Sequence, residues 1–428
     1  MSADLSRSPT RSAAPLSAAD IDGAAKRIAG VVAPTPLQLS ERLSAATGAS
    51  VYLKREDLQS VRSYKLRGAY NLLVQLSEEE IAAGVVCSSA GNHAQGFAYA
   101  CRALGIHGRV YVPAKTPRQK RDRIRYHGGD FVELIVGGST YDLAAAAALD
   151  DVARTGATLV PPYDDLRTMA GQGTVAVEIL DQLDDEPDLV VVPVGGGGCI
   201  SGITTYLAER TANTSVLGVE PAGAAAMMAA LAAGEPVTLD HVDQFVDGAA
   251  VSRAGTLTYA ALAAAGDMVS ITTVDEGAVC TAMIDLYQNE GIIAEPAGAL
   301  SVAALLQADV EPGSVVVCLI SGGNNDVSRY GEVLERSLVH LGLKHYFLVD
   351  FPQEPGALRR FLDEVLGPND DITLFEYVKR NNRDFGEALV GIELGSAADL
   401  DGLLARIRAT EIQVETIAPG SPAYRYLL

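Results

Sequence analysis

The run Asp188-Leu-Val-Val-Val-Pro-Val194 leads directly into Gly195-Gly196-Gly197-Gly198 and then Cys199-Ile200-Ser201. Its apolar residues are continuous rather than alternating, the pattern of a strand buried on both faces of a parallel sheet. The small residues after the glycines read as the start of a helix. A strand that turns through glycine into a helix leaves several backbone N–H groups without carbonyl partners, and such a cradle suits an anion, phosphate above all. Working outward, Arg109–Val112, Asp130–Val136, Val216–Val219 and Ser314–Ile320 are further apolar runs, with helical stretches between them. The region is therefore expected to be α/β with parallel sheets. Residues 15–330 are too many for one comfortable core, so two parallel-sheet subdomains with a cleft between them are expected.

Local signals punctuate that reading. Ser17 to Asp20 and Ser77 to Glu80 have the spacing of capping boxes. Thr116-Pro117 reads as an N-cap with proline at the first helical position, and Gly128-Gly129 as the stop of that helix. Beyond Tyr330 the pattern changes. His345–Phe351, Ile372–Lys379, Ala388–Leu394 and Ile412–Ile417 read as strands, with helices at Pro355–Leu366 and Ala397–Arg408. That βαββαβ order predicts a ferredoxin-like unit. The expected organisation is a disordered leader over 1–14, a catalytic region over 15–330, a linker over 331–344 and a small C-terminal domain over 345–419.

Composition narrows the partners. The 428 residues hold 33 Lys and Arg against 54 Asp and Glu, a formal charge of −21. A chain so acidic is repelled by phosphate backbones unless its basic residues are gathered in one place. The one basic stretch, Arg118 to Arg125, reads as the solvated face of a single helix, so nucleic acid is not an expected partner. No run approaches the ~18 apolar residues of a membrane helix, and Met1 to Ala14 lacks the apolar segment of a secretion signal. Cys87, Cys101, Cys199, Cys280 and Cys318 are scattered without metal spacing, which fits a reducing, cytoplasmic setting and no bound metal.

Two more loops share the position of the glycine run. Ser88-Ser89-Ala90-Gly91-Asn92-His93 follows the short apolar run Val85–Cys87, and Ser321-Gly322-Gly323-Asn324 follows Ser314–Ile320. Polar or glycine-rich loops at the C-terminal ends of buried strands are where α/β folds place ligands. A lone lysine such as Lys65, in Ser63-Tyr64-Lys65-Leu66-Arg67-Gly68-Ala69, would otherwise be read as a surface residue. In the company of three such loops it becomes a candidate reactive amine. A dinucleotide fingerprint is the competing reading of Gly196–Ser201, with Glu220 as ribose partner, but Ser201 stands where the third glycine belongs.

Together these segments resemble the fold-type II pyridoxal-phosphate family, and within it the biosynthetic threonine dehydratases, or threonine deaminases. The resemblance begins at Pro34-Thr35-Pro36-Leu37 and Lys54-Arg55-Glu56-Asp57. It continues through Ser63–Ala69, Ser88–Gly96, the glycine loop, Ala294-Glu295-Pro296-Ala297-Gly298 and Ser321–Asn324, about three-quarters of the chain in family order. The C-terminal unit, with Glu354-Pro355-Gly356-Ala357-Leu358 at its first strand–helix junction, resembles one copy of that family's ACT-like regulatory domain, as in its short form.

The resemblance implies pyridoxal 5'-phosphate as cofactor, carried by Lys65. It places the cofactor phosphate on Gly195, Gly196, Gly197, Gly198 and Cys199, its ring oxygen on Asn92 and its pyridine nitrogen against Ser321. It assigns the substrate carboxylate to Ser89, Ala90, Gly91, Asn92 and His93. A serine hydroxyl cannot hold the ring nitrogen protonated as an aspartate would, a weaker electron sink that favours β-elimination over transamination. The implied reaction is dehydration and deamination of L-threonine to 2-oxobutanoate and ammonia, the first step of isoleucine biosynthesis, with L-serine as a poorer substrate. Racemase relatives carry a second hydroxyl immediately before Gly-Asn-His; here that position is Ala90, which cannot move a proton. Isoleucine is the implied effector of the tail, and a homo-oligomer, dimer or tetramer, the implied assembly.

Overall fold

The computed structural model of the protein describes residues 15–377, 384–410 and 412–427. The expected leader over 1–14 and the last two residues of the expected strand Ile372–Lys379 lie outside the described residues. Contacts divide the chain into two units, with the break between Asp326 and Val327.

In the first unit the strands are β1 (Leu37–Leu39), β2 (Ser50–Arg55), β3 (Val85–Ser88), β4 (Gly108–Val112), β5 (Val132–Val136), β6 (Thr158–Leu159), β7 (Leu189–Pro193), β8 (Ser215–Pro221), β9 (Val269–Val274) and β10 (Val315–Ile320). They form a six-stranded sheet, in the order β1-β2-β10-β7-β8-β9, and a four-stranded sheet, β5-β4-β3-β6. Every pairing is parallel except β1 with β2. The four-stranded sheet is thus inserted between β2 and β7 of the larger one. Each sheet carries its own apolar core: Val190, Val192, Ile200, Ile203 and Leu319 belong to the larger, and Val85, Phe97, Val110 and Ile124 to the smaller. The two expected parallel-sheet subdomains are present.

The expected capping boxes at Ser17 and Ser77 both form, each with reciprocal bonds to the acid three residues on. The cap expected at Thr116 does not. The helix Arg118–Gly128 has Pro117 as N-cap and no side-chain cap, and the Thr116 hydroxyl is buried without a partner. Proline here sits one position earlier than N1, so its own carbonyl, which accepts from Arg121 N at 3.2 Å, opens the helix.

Beneath the helix Lys65–Leu73 lies a buried ion network. Arg67, fully buried, donates to Glu56 (2.7 and 2.8 Å) and to Glu178 (2.6 Å), and Lys54 donates to Glu178 (2.6 Å). The opposed charges hold the guanidinium protonated at any pH. Removing one partner of such a network leaves an uncompensated buried charge and costs about 3–5 kcal/mol.

In the second unit β11 (Lys344–Pro352), β12 (Asp371–Tyr377), β13 (Phe385–Glu393) and β14 (Gln413–Ile417) form an antiparallel sheet in the order β12-β13-β11-β14. The helices Ala357–Glu364 and Leu400–Arg408 complete the expected βαββαβ order. Phe347, Phe351, Phe361, Val390 and Leu403 share one core. The segment 331–344, read as a linker, is mostly the helix Tyr330–His340. Its Val339 packs with Tyr346, Ile417 and Tyr424 in a second small cluster, which also uses the terminal helix Pro422–Leu427 beyond the expected boundary at 419. Val333 and Ser337 of the helix Tyr330–His340 are buried.

Candidate active site

Lys65 is the first residue of the helix Lys65–Leu73. The chain just before it is pinned to the loop after β10: Ser63 bridges Gly322, and Tyr64 N donates to Ser321 O at 3.2 Å. Behind it, the helix Asn92–Leu104 approaches so closely that a methyl at Gly96 would lie 2.9 Å from Leu66 N. Lysine is thereby held with its amine in the interior. Nζ donates to Pro162 O at 3.2 Å and stands 5.1 Å from the Tyr64 ring centroid. Burial lowers its pKa to about 8, although Cys199 and Glu295 pull the other way. An amine so placed is neutral for an appreciable fraction of the time near neutrality, which is what a nucleophile and general base need.

The glycine loop stands one residue from that amine's acceptor. Tyr163 follows Pro162; its ring lies where a side chain at Gly196 would have to go, and its Cβ and backbone where one at Gly198 would. Gly195 faces the backbone of Ala249 in the same way, and Gly197 has φ +91°, which disfavours any other residue. The carbonyls are taken: Gly196 O accepts from Thr258 Oγ1 (2.6 Å) and Gly255 N (3.2 Å), and Gly197 O from Ser201 Oγ (2.8 Å). Among the described residues no protein group accepts from the N–H groups of Gly195, Gly196 and Gly197. Gly198 and Cys199 open the helix Gly198–Arg210, whose first N–H groups have no partner within the helix. Burial raises the Cys199 thiol to about 12, so it is a neutral lining group beside Lys65.

The third element is the junction from β3 into the helix Asn92–Leu104. Asn92 Nδ2 donates to Glu295 Oε1 at 2.5 Å, and Asn92 Oδ1 accepts from Asn324 Nδ2 at 2.8 Å. Ser89 Oγ accepts from Gly91 N at 3.3 Å. Space is open beside Gly91, where a methyl would meet nothing within 4 Å. The His93 ring turns inward, with Nε2 2.8 Å from Val160 O, while Nδ1 is buried without a partner. Burial and the nearby Lys65 amine lower its pKa to about 4, so the ring is neutral. Ser321 is buried and its Oγ donates to Ala297 O at 3.3 Å.

A chain of contacts therefore joins Lys65, the glycine loop, the Asn92 junction and the Ser321 loop. Tyr64 links Lys65 to Ser321, Asn324 links that loop to Asn92, and Pro162-Tyr163 links Lys65 to the glycines. Sequence reasoning missed Pro162, Tyr163 and the role of Glu295. The proline pair Pro161-Pro162 directly after a short strand was the available signal for the first two. Glu295 was quoted only as part of a motif. A candidate metal cluster is absent among the described residues, and among them no helix is long and apolar enough to cross a membrane.

Pyridoxal phosphate fits what is here. A buried amine of lowered pKa, a backbone cradle with unengaged N–H groups at a helix start, an asparagine amide and a serine hydroxyl surround one space. Lys65 would carry the group, Gly195–Cys199 its phosphate, and Asn92 and Ser321 its ring. Residues 28–322 match the pyridoxal-phosphate dependent enzyme family, and residues 335–427 match the C-terminal regulatory domain of threonine dehydratase. The chain is 88% identical to a biosynthetic L-threonine dehydratase of Mycobacterium bovis over 429 aligned residues, 100% of each. It is 52% identical to one of Bacillus subtilis, over 89% of this chain and 90% of that protein. The solved structure of processed threonine deaminase isoform 2 from Solanum lycopersicum superposes with a TM-score of 0.68 at 36% identity, covering 76% of this chain and 96% of that one. The chain therefore belongs to the biosynthetic threonine dehydratase family of pyridoxal-phosphate-dependent lyases.

Proposed function

We propose that this chain dehydrates and deaminates L-threonine to 2-oxobutanoate and ammonia, opening isoleucine biosynthesis, with L-serine as a slower substrate giving pyruvate. The observation that carries the reading is the buried Lys65 amine, held at a helix start between the glycine loop and the Asn92 junction with its pKa lowered to about 8. Pyridoxal phosphate supplies an electron sink for charge that develops at the substrate Cα. The chain supplies the rest. Lys65 would carry the cofactor on its amine and, once that amine is free, would serve as the base for the Cα proton. The N–H groups of Gly195–Cys199 hold the phosphate, and Asn92 orients the ring through its oxygen. Ser321 would meet the ring nitrogen with a hydroxyl, which unlike a carboxylate does not keep it protonated, a weaker electron sink that favours elimination over transamination. The junction Ser89–His93 binds the substrate carboxylate, with open space at Gly91. Ala90 offers no second base, so the opposite face of Cα receives no proton and racemization is disfavoured. The β-hydroxyl takes up a proton, matching the one removed from Cα, and leaves as water; the released enamine tautomerises to the imine, which a water molecule hydrolyses to 2-oxobutanoate and ammonia.

The second unit is the regulatory domain, and isoleucine is the effector this reading assigns to it. The supporting feature is the junction from β11 through Pro355-Gly356 into the helix Ala357–Glu364, whose N-cap Gly356 provides no side-chain cap. Ala357 N already donates to Glu354 O at 3.4 Å, and the next N–H groups of the first turn suit an amino-acid carboxylate. A preference of the effector for one arrangement worth about 1–3 kcal/mol suffices for feedback. The working form is a cytoplasmic homodimer or homotetramer.

A keto-acid assay with L-threonine, L-serine and D-serine tests the substrate; L-threonine should be fastest and D-serine inert. Lys65→Ala should abolish turnover and the visible band that borohydride removes while leaving a folded protein. Near-normal turnover in that variant would end the assignment. Calorimetry of the full chain with isoleucine tests the effector, and no heat together with no change in threonine turnover would remove it.

A further inference from the structure

Glu295 is a carboxylate inside the cleft for which the elimination described above has no task. It is the N-cap residue of the helix Pro296–Leu305, yet its side chain makes no capping bond. It turns instead into the site, is 5% exposed, and accepts from Asn92 Nδ2. The space around it is built for it: any side chain at Gly322 would collide with its Oε1. Asn92 is held from its other end by Asn324, whose Nδ2 is itself anchored on Val61 O at 2.8 Å. The amide therefore has one orientation. Turning it over would set carbonyl against carboxylate and amide N–H against amide N–H. What is left over after these two bonds is one N–H and one lone pair of the amide.

We propose that Glu295 is the positioning residue of the site: its carboxylate fixes the Asn92 amide so that the remaining Nδ2–H faces the cofactor ring oxygen, and protonation of Glu295 loosens that hold. The proposal rests on the reading of Asn92 given above. A bond to a carboxylate is about twice as strong as one to a neutral oxygen, so the grip on Asn92 follows the charge of Glu295. Burial and four neighbouring groups set that charge. Burial, and after it the Asp247 charge, raise the Glu295 pKa, the Asn92 amide, Lys120 and the Asn324 N–H lower it, and the net is about 7. Tyr64 and Lys65 face it from the lysine helix. Lys120 comes from the helix Arg118–Gly128 of the smaller subdomain and pairs with Asp247 of the larger one. The sign follows: above about pH 7 the carboxylate holds Asn92, and as pH falls through that value the hold weakens.

The test is the visible absorption of the holoenzyme, titrated between about pH 5 and about pH 9, with cofactor affinity and turnover measured alongside. Wild type should show a spectral transition near pH 7. Glu295→Gln keeps the acceptor but not the charge, and should bind the cofactor within about 3-fold of wild type while losing the transition. Glu295→Ala should lower kcat about 100-fold with little change in KM, because a misplaced ring costs rate more than binding. Asp247→Asn removes a negative neighbour and should move the transition to lower pH. A transition that persists unshifted in Glu295→Gln overturns the proposal, even if Glu295→Ala does not fold. If Asn92→Ala leaves spectrum and cofactor affinity at wild-type values, the proposal falls together with the Asn92 assignment. If Asn92→Ala changes both but the Glu295 variants change neither, the proposal falls alone.

Discussion

The glycine loop Gly195–Cys199 and the junction Ser89–His93 do the same topological job, each turning a parallel strand into a helix, and they do it by opposite means. In the first, side chains have been removed so that protein can close in: Tyr163 against Gly196 and Gly198, Ala249 against Gly195. What remains for a ligand is backbone N–H, which recognises an anion whatever else the molecule carries. In the second, side chains are kept and tethered, Asn92 to Glu295 and Asn324, Ser89 to Gly91, with open space beside Gly91. On the function proposed above, the part that never changes during turnover would be gripped by walled-in backbone, and the parts that must be told apart would be met by side chains that have their own supports.

The strongest way to break this contrast is to give the glycine loop a side chain. Gly196→Ala drives a methyl into the Tyr163 ring, and overpacking of about 1–3 kcal/mol should loosen the cofactor by about 10–100-fold. Adding Tyr163→Ala should restore much of the affinity; a double variant as weak as the single one would mean that the glycines serve the ligand directly and not the wall. Next in size is a pH effect on the amine between the two loops. Only neutral Lys65 captures an aldehyde, so the rate at which apoenzyme takes up cofactor should rise about tenfold per pH unit up to about 8 and level off above it. A rate flat from pH 6 to pH 9 would contradict the lowered pKa. In the open junction the same one-methyl change should be gentler. Gly91→Ala meets no protein atom, so cofactor affinity should hold while KM for threonine rises about 10-fold from crowding of the carboxylate. Loss of cofactor instead of KM would show that the junction supports the ring more than the substrate. Smallest of all is Cys199, whose thiol burial holds at about 12. Iodoacetamide at pH 8 should leave it unmodified in the folded enzyme by mass spectrometry, and rapid labelling would mean the loop opens far more than its walls suggest.

How much of this was legible in the sequence follows from the same contrast. Lys65, the glycine loop, Ser88–His93 and Ser321–Asn324 were readable because each packs its signal into a few consecutive residues after an apolar strand. Pro162, Tyr163 and Glu295 were not, since each acts across the chain: Tyr163 on Gly196, Glu295 on Asn92. β2 was hidden by its own ending, Lys54-Arg55, which reads as surface but belongs to buried ion pairs or their edge. β9 lies at the sheet edge and is half-exposed along most of its length, so its Ser270-Ile271-Thr272-Thr273 core lacks the continuous apolar signature of the central strands. All five cysteines are buried, and none is in a disulfide.

The insertion of the smaller sheet between β2 and β7 makes the chain pass from one subdomain to the other twice, once outward before β3 and once back after β6. Lys65 stands on the outward passage and Pro162-Tyr163 on the return, joined by the bond from Nζ to Pro162 O. The two crossings of the chain between the sheets therefore meet at the lysine amine, so a change that spreads one crossing from the other is felt first at Nζ.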